Sequence, residues 1–289
     1  MSQDNSLDKV KQLREITGVG FKDCKNAIDE TQGDVDKAIE LLRKKGIAKA
    51  NKRMTKVAAE GLVCIFEKDN NFSMIEINSE TDFVAKNSQF INFSEELSEI
   101  ALEKSGKLED VINSLMKNKK QVKENLVDLI SKIGEKITIR RSAFINKNKS
   151  INFSYVHSSL KKNVGKLGVL LSIETTKSKQ DVSEFGKQLA MHIAASSPIS
   201  IDESGLDKSI LNKEKEIITE ELKNSGKDIK IIDKIASGKL KKFISDNTLL
   251  NQEWIMEPKK KVKDIIKEVA GKDKLIVKNF IRYKVGEGV

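Results

Sequence analysis

The spacing of apolar residues divides the chain into regions of different period. Apolar residues recur at three- and four-residue intervals over 7–16, 21–29 and 35–42, and a glycine follows each run, which predicts three short helices. Further on, the runs 62–66 and 72–77 are partly β-branched and flank a polar turn, which is typical of a β-hairpin. The pattern therefore predicts a small helical bundle followed by a region that contains a sheet.

The order strand, turn, strand, helix occurs twice. An amphipathic pattern over 90–101 follows the first hairpin, and a second strand pair, 152–157 with 168–174, precedes another helical pattern over 182–195. This repetition predicts a core of two similar α+β halves. Residues 203–247 interrupt the second half with two helical patterns whose apolar stripes cover each other only narrowly, so we predict a protruding antiparallel hairpin.

Together these elements predict an α+β fold built from five parts. The N-terminal helices resemble the three-helix bundle of the ubiquitin-associated fold, whose members usually serve as docking units. The predicted parts are a docking bundle (1–43), a basic linker (44–56), the N-terminal half of the core (57–145), its C-terminal half in two pieces (146–202 and 248–289), and the inserted helical hairpin (203–247).

The basic composition leaves two interpretations of the lysine-rich segment 44–56. The net charge is +10 and the pI is near 9.3, which suits either contact with nucleic acid or a solvated surface. No aromatic residue is interleaved for base stacking, so a solvated linker is favoured and direct nucleic-acid binding is not expected. A ribosome-associated or RNA-binding protein, with salt-dependent binding to RNA, remains one alternative. A ubiquitin-type adaptor is another, but it rests on the bundle alone.

The sequence has no feature that indicates a membrane or secreted protein. It lacks any run of about eighteen apolar residues, and its first residues lack the basic start and apolar core of a signal peptide. Cys24 and Cys64 have no CxxC spacing, which favours two reduced thiols over a disulfide or a zinc site. We therefore expect a cytoplasmic protein.

Residues that would carry out a reaction are few. The only histidines are His157 and His192, and neither has a sequence context that marks it as a base; His192, between Met191 and Ile193, fits packing inside a helix. The chain has no GxxxxGK[ST] phosphate loop, so direct nucleotide binding is not expected. We expect no catalytic site, no metal site and no cofactor. This absence favours a protein that acts through an interface rather than an enzyme, although a plain scaffold would fit as well.

The stretch Thr81-Asp82-Phe83-Val84 lies where the predicted hairpin gives way to the helix. Ser79 and Thr81 suit an N-cap, and Asp82 suits the positive end of a helix dipole. Phe83 lies seven residues before Phe90 and so can be in phase with the apolar stripe, which favours a core position on spacing alone. The alternative is that this corner projects a carboxylate and an aromatic ring into a partner, as interface anchors do.

Motifs along nearly the whole chain resemble those of the bacterial elongation factor Ts family. The most specific is the stretch around Thr81-Asp82-Phe83-Val84, from Asn78 to Asn87. The others, in the same order as in the family, are Leu13-Arg14 with Thr17-Gly18-Val19-Gly20, Asp23-Cys24-Lys25, Lys132-Ile133-Gly134-Glu135, Met191-His192-Ile193-Ala194-Ala195-Ser196, Met256-Glu257-Pro258 and Val285-Gly286-Glu287-Gly288.

The resemblance implies a guanine-nucleotide exchange factor for elongation factor Tu. Such a factor binds its partner in the GDP-bound and nucleotide-free states and promotes GDP release by displacing Mg²⁺ from the partner. By this resemblance, Thr81, Asp82, Phe83 and Val84 form the contact that disturbs the magnesium site, with Phe83 inserted between helices of the partner. Arg14 and Phe21 of the bundle, and His192 of the second half, match further partner-facing positions.

Overall fold

The chain begins with three helices in the computed structural model, which describes residues 3–17, 19–53, 55–146, 148–223 and 229–289. These helices are α1 (Gln3–Thr17), α2 (Phe21–Glu30) and α3 (Val35–Arg53). They enclose a small core of their own, formed by Val10, Leu13, Val19, Cys24, Ala27, Ile28, Ala38 and Leu42.

The segment 44–56, predicted as a linker, is helical as far as Arg53, because α3 continues through it. Its lysines and alanines are good helix formers, and the single glycine, Gly46, does not end the helix. Gly46 faces Ser131 of the core: an added Cβ would lie 2.9 Å from the Ser131 hydroxyl oxygen. The start of this segment therefore packs on the core.

The first half of the core is a four-stranded antiparallel sheet with helices on one face. The strands are β1 (Glu60–Lys68), β2 (Asn71–Ser79), β3 (Ile137–Ile145) and the short β5 (Val164–Gly165), in the order β3-β2-β1-β5. The predicted hairpin is present, and its two-residue turn places Asp69 and Asn70 at positive φ, as tight hairpins require. The helices of this half are α4 (Asp82–Ala85), α5 (Ser88–Glu103), α6 (Leu108–Asn113) and α7 (Val122–Ile133).

The second half has a three-stranded antiparallel sheet that repeats the arrangement of β1, β2 and β3. Strands β4 (Ile151–His157), β6 (Leu167–Thr175) and β9 (Leu275–Lys284) are ordered β4-β6-β9, which corresponds to β1-β2-β3. In each half, the pairing between the second and third of these strands has a register shift. It falls after Glu76 in the pair β2–β3 and after Ser172 in the pair β6–β9. Helix α8 (Lys179–Ser196) covers the sheet as α5 does in the first half, and β7 (Glu253–Trp254), β8 (Glu257–Lys261) and α11 (Val262–Ala270) complete this half.

Between α8 and β7 the chain forms a helical hairpin. Helices α9 (Lys208–Lys223) and α10 (Ile229–Asn247) pack on each other through a small apolar cluster that includes Ile218 and Leu222. An ion pair between Lys239 and Glu221 also links the two helices. The turn predicted at 224–227 lies outside the described residues.

The two sheets pack against each other through the faces that the helices leave open. Val63 and Met74 of the first sheet and Leu170 of the second contribute to this shared cluster. Gly168 permits the approach, because a Cβ there would lie 2.7 Å from both the Val63 and the Met74 side chains.

The resulting layers are helix, sheet, sheet, helix, and the predicted α+β class is confirmed. The exact division into domains stays a prediction. Among the described helices, none is long and apolar enough to cross a membrane.

Candidate functional site

After β2 the chain forms two consecutive helices, α4 and α5, where the sequence pattern predicts a single helix. Helix α4 ends at Ala85, and α5 starts at Ser88 with Asn87 as its N-cap, whose side-chain oxygen accepts hydrogen bonds from the backbone N–H groups of Gln89 and Phe90. The expectation that Ser79 or Thr81 caps the helix through its side chain is wrong. Thr81 occupies the N-cap position of α4 without such a bond, and the Ser79 hydroxyl donates to the Thr81 carbonyl.

Phe83 and Val84 have opposite environments. The break at Lys86 and Asn87 takes Phe83 out of phase with the apolar stripe of α5, and its side chain is 78% exposed. Val84 and Ala85 are buried in the core of the first half. Phe83 therefore projects from the corner, while Val84, which the resemblance placed in the partner contact, anchors the corner to its own core.

Asp82 lies beside Phe83 and remains half-buried. Its carboxylate accepts a hydrogen bond of 3.0 Å from the Lys86 ammonium group, one helical turn later. This bond holds the pKa of the Asp82 carboxyl below its usual value. The same ammonium group lies 6.0 Å from the centre of the Phe83 ring. The corner thus presents an aromatic face beside an ionised carboxylate.

Thr81 points inward, toward the end of α7. Its backbone N–H and its hydroxyl donate to the two carboxylate oxygens of Glu135, at 3.0 and 2.8 Å. Glu80 completes the contact, because its carboxylate accepts a hydrogen bond of 2.6 Å from the Lys136 backbone N–H. In the sequence, Gly134-Glu135 belongs to one of the family motifs, and no role is predicted for Glu135. The available signal was an acid directly after a glycine that ends a helix.

His192 is fully buried in the second half, so it offers no surface to a partner in this structure. This position agrees with the prediction that the side chain packs inside the protein. Its ring stacks on Trp254 with centroids 5.2 Å apart. Nε2 lies 3.0 Å from the Gln252 side-chain oxygen, and Nδ1 accepts a bond from the Ile255 backbone N–H. Burial holds the pKa of His192 below its usual value, although the Gln252 hydrogen bond opposes that shift.

The two bundle residues that the resemblance indicated are on the surface. Arg14 is exposed on α1, and the first residue of α2, Phe21, is 44% exposed. The bundle contacts the core through α3 and α7, where Arg43 and Glu124 form an ion pair of 2.8 Å. Helix α7 therefore contacts the bundle, and the residues that directly follow it contact the corner.

His157, the other histidine, hydrogen-bonds to the Tyr155 hydroxyl at 3.0 Å. Within the part of the chain that the structure describes, no three His, Cys, Asp or Glu side chains are grouped so that they could hold a metal ion. The feature that stands out is an exposed aromatic ring on a corner held by buried residues on one side and hydrogen bonds on the other.

Comparison with known proteins agrees with the motifs. The sequence model of one family, described as Elongation factor TS, matches residues 80–287. An Elongation factor Ts from Methylorubrum populi is 42% identical over 283 residues, which cover 97% of this chain and 92% of the relative. Another from Bartonella tribocorum is 42% identical over 286 residues with the same coverage. Matches of this extent define the class of protein, a translation elongation factor. The chain belongs to the elongation factor Ts family.

Proposed function

We propose that this protein binds elongation factor Tu, in its GDP-bound and nucleotide-free states, and promotes the release of GDP so that GTP can bind. The single observation that carries the proposal is the exposure of Phe83, 78%, next to an ionised Asp82 on a corner that is otherwise anchored. An apolar ring of this size is usually buried in a monomer, and one held in solvent suits insertion into a partner.

The proposed mechanism uses binding energy rather than a reaction. Burial of a phenylalanine ring contributes about 1.5–3 kcal/mol, which shifts a conformational equilibrium by roughly ten- to a hundredfold. With Phe83 between helices of the partner's nucleotide domain, Asp82 lies near the groups that hold Mg²⁺. Displacing that ion weakens GDP binding, because Mg²⁺ neutralises the phosphates.

Thermodynamic linkage completes the cycle. If the factor weakens the binding of GDP to elongation factor Tu, GDP weakens the binding of the factor by the same ratio. An incoming nucleotide therefore displaces the factor. The protein would act in this way without being an enzyme itself, without a cofactor and without binding nucleotide, and we place this activity in the cytoplasm.

A second contact would strengthen the first. Arg14 and Phe21 are exposed on the bundle, which is separate from the corner that carries Phe83. Once one contact forms, the other becomes intramolecular, and the effective concentration of the second contact rises. His192 is not included among these direct contacts, because it is buried.

The test is the rate of fluorescent GDP release from elongation factor Tu of the same organism. We expect the wild-type protein to accelerate GDP release. The acceleration by Phe83→Ala should be at least tenfold smaller, in line with the burial of one ring. The free energy of unfolding of Phe83→Ala should stay within about 0.5 kcal/mol of wild type, since the exposed ring makes few contacts.

Leu160→Ala is the matched control, because Leu160 is also an exposed apolar side chain, at 44%, and lies in the loop after β4. It should accelerate GDP release like wild type. No acceleration by the wild-type protein would overturn the proposal and return attention to the basic surface and RNA.

A further inference from the structure

The carboxylate of Glu135 binds one residue of the corner at two points. Thr81 donates both its backbone N–H and its hydroxyl to this carboxylate, one to each oxygen, at 3.0 and 2.8 Å. A single hydrogen bond leaves a residue free to rotate about the bond axis, whereas two bonds to a planar group also define its orientation. The residue that opens α4 is therefore fixed in direction as well as in place.

The adjacent residues form a reciprocal bond. Glu80 accepts from the backbone N–H of Lys136 at 2.6 Å, so each of the two chain segments supplies a carboxylate to the other's backbone. The segments are 54 residues apart in sequence from Thr81 to Glu135. Gly134 brings Glu135 to the corner: it ends α7 in the left-handed conformation, with φ of 82°, and lets the chain leave the helix there.

The corner needs such support because α4 is only four residues long. A helix of one turn is not stable by itself, since nucleation costs more than one turn of hydrogen bonds returns. On the C-terminal side, Val84 and Ala85 are buried and Asn87 caps α5. On the N-terminal side, Thr81 donates two hydrogen bonds to Glu135 and its carbonyl accepts one from Ser79. Phe83 lies between these two anchors.

We propose that Glu135 is a positioning residue, whose carboxylate fixes Thr81 and thereby holds Phe83 in its exposed orientation before the partner arrives. Ordering a segment in advance removes a cost that binding would otherwise have to meet. The inference rests on the proposed function for its consequence in nucleotide exchange. The positioning itself is a property of the free protein and is measured there.

Three variants separate the bonds. Glu135→Ala removes both acceptors. Glu135→Gln preserves the shape, because its oxygen can accept from the Thr81 N–H while its NH₂ group donates to the Thr81 hydroxyl, so it is the conservative rescue. Thr81→Val keeps the N–H bond and loses the hydroxyl bond. Glu96→Ala is the matched control, because the Glu96 carboxylate also accepts a backbone N–H, that of Lys117, at another place on the first half.

Hydrogen–deuterium exchange of the free protein gives the first readout. We expect the amides of 81–87 to exchange at least tenfold faster in Glu135→Ala, by an intermediate factor in Thr81→Val, and at nearly the wild-type rate in Glu135→Gln. Glu96→Ala should leave these amides unchanged. If Glu135→Ala also leaves them unchanged, Glu135 does not position the corner and the proposal is overturned, whatever the protein does to elongation factor Tu.

The second readout is GDP release, measured in a double-mutant cycle with Phe83→Ala. Glu135→Ala should lower the exchange effect about tenfold in the wild-type background and by less than twofold when Phe83 is already alanine, because the carboxylate acts through that ring. Equal losses in both backgrounds would show a general structural role and overturn the proposal. If the wild-type protein does not accelerate release, the proposed function fails, and amide exchange alone decides whether Glu135 positions the corner.

Discussion

His192 is a buried side chain whose neighbours require the neutral imidazole. Gln252 donates its NH₂ group to two backbone carbonyls, those of Ser196 and Asp246, so its oxygen faces Nε2 of His192 as an acceptor. Nδ1 accepts from the Ile255 N–H. The proton therefore resides on Nε2, and a second proton on Nδ1 would oppose the Ile255 N–H in a buried site.

This arrangement predicts a loss of stability in mild acid. The folded-state pKa of His192 is lowered from the usual 6.5 by burial, so the unfolded state binds more protons below that pH. Stability is full above about pH 6.5 and falls as the pH drops toward the lowered pKa, with a slope of up to about 1.4 kcal/mol per pH unit. Urea unfolding at several pH values between 7 and 5 should show a steeper decline for wild type than for His192→Gln.

His157→Gln is the control for that series, because His157 is exposed. It should keep the slope of wild type. A His192→Gln slope equal to that of wild type would contradict the prediction and show that other groups cause any acid sensitivity.

Phe83 shows where residue-scale prediction from sequence stops. The apolar spacing correctly predicts α5 but treats Phe83 as a possible member of its stripe. Two residues, Lys86 and Asn87, interrupt the helix, and this break sends Phe83 outward and Val84 inward. The sequence pattern alone does not distinguish an exposed Phe83 from a buried one. A shift of one position along a helix turns a side chain by about 100° around the helix axis, so a short break decides which residue faces the core.

At the scale of elements, α7 connects the two regions that the resemblance assigns to partner binding. It packs on α3 of the bundle, where Arg43 meets Glu124, and its C-terminal residue leads into Gly134 and Glu135 at the corner. The position of the bundle and the orientation of Phe83 thus depend on the same helix. Within the segment 44–56, predicted as a linker, α3 is helical through Arg53 and lies against α7 at Gly46.

The packing of α3 on α7 predicts an unequal effect of two similar substitutions. Gly46→Ala and Gly238→Ala both replace a helical glycine, which alone stabilises a helix by about 1 kcal/mol. At Gly238 an added Cβ meets nothing within 4 Å, whereas at Gly46 it lies 2.9 Å from the Ser131 hydroxyl oxygen. In urea unfolding we expect Gly238→Ala to be stabilised and Gly46→Ala to gain less or to lose stability.

Ser131→Ala removes the oxygen that this Cβ would meet. Combined with Gly46→Ala, it should recover part of the helical gain. An equal gain at Gly46 and Gly238 without that second change would mean that α3 and α7 are not closely packed at this point.

In the whole molecule, the C-terminal segment ties the two halves together. Glu76, buried in β2, forms ion pairs with Arg140 and Arg141 and accepts a hydrogen bond of 3.0 Å from the Gly286 backbone N–H. The Glu287 side chain binds Arg282, and the Glu287 carbonyl accepts from Arg140. The Val-Gly-Glu-Gly motif therefore has a structural explanation: it joins the end of the chain to the centre of the first sheet.

Gly286 and Gly288 offer a matched pair to test this connection. Both have positive φ, 74° and 76°, so alanine at either costs about 1–2 kcal/mol in backbone strain. Only at Gly286 would the Cβ also lie 2.1 Å from a backbone atom, the Ala59 carbonyl oxygen. We expect Gly286→Ala to lower the free energy of unfolding by at least 1 kcal/mol more than Gly288→Ala. Equal losses in thermal or urea unfolding would contradict this close approach.

The parts of this protein that depend on local spacing could be predicted from the sequence. The three N-terminal helices, the hairpin around Asp69 and Asn70, the repeated strand and helix order and the helical hairpin all follow from periodicity and turn residues, which act over a few positions. The motifs identified the family without reference to structure.

The exposure of individual side chains and the contacts between residues far apart in sequence became known only from the folded chain. The exposure of Phe83, the burial of Val84 and His192, the packing of α3 on α7 and the bonds from Thr81 to Glu135 all depend on contacts between distant segments. The physical reason is that a side chain's environment is set by the segments that pack around it. Local periodicity carries no information about which segments those are.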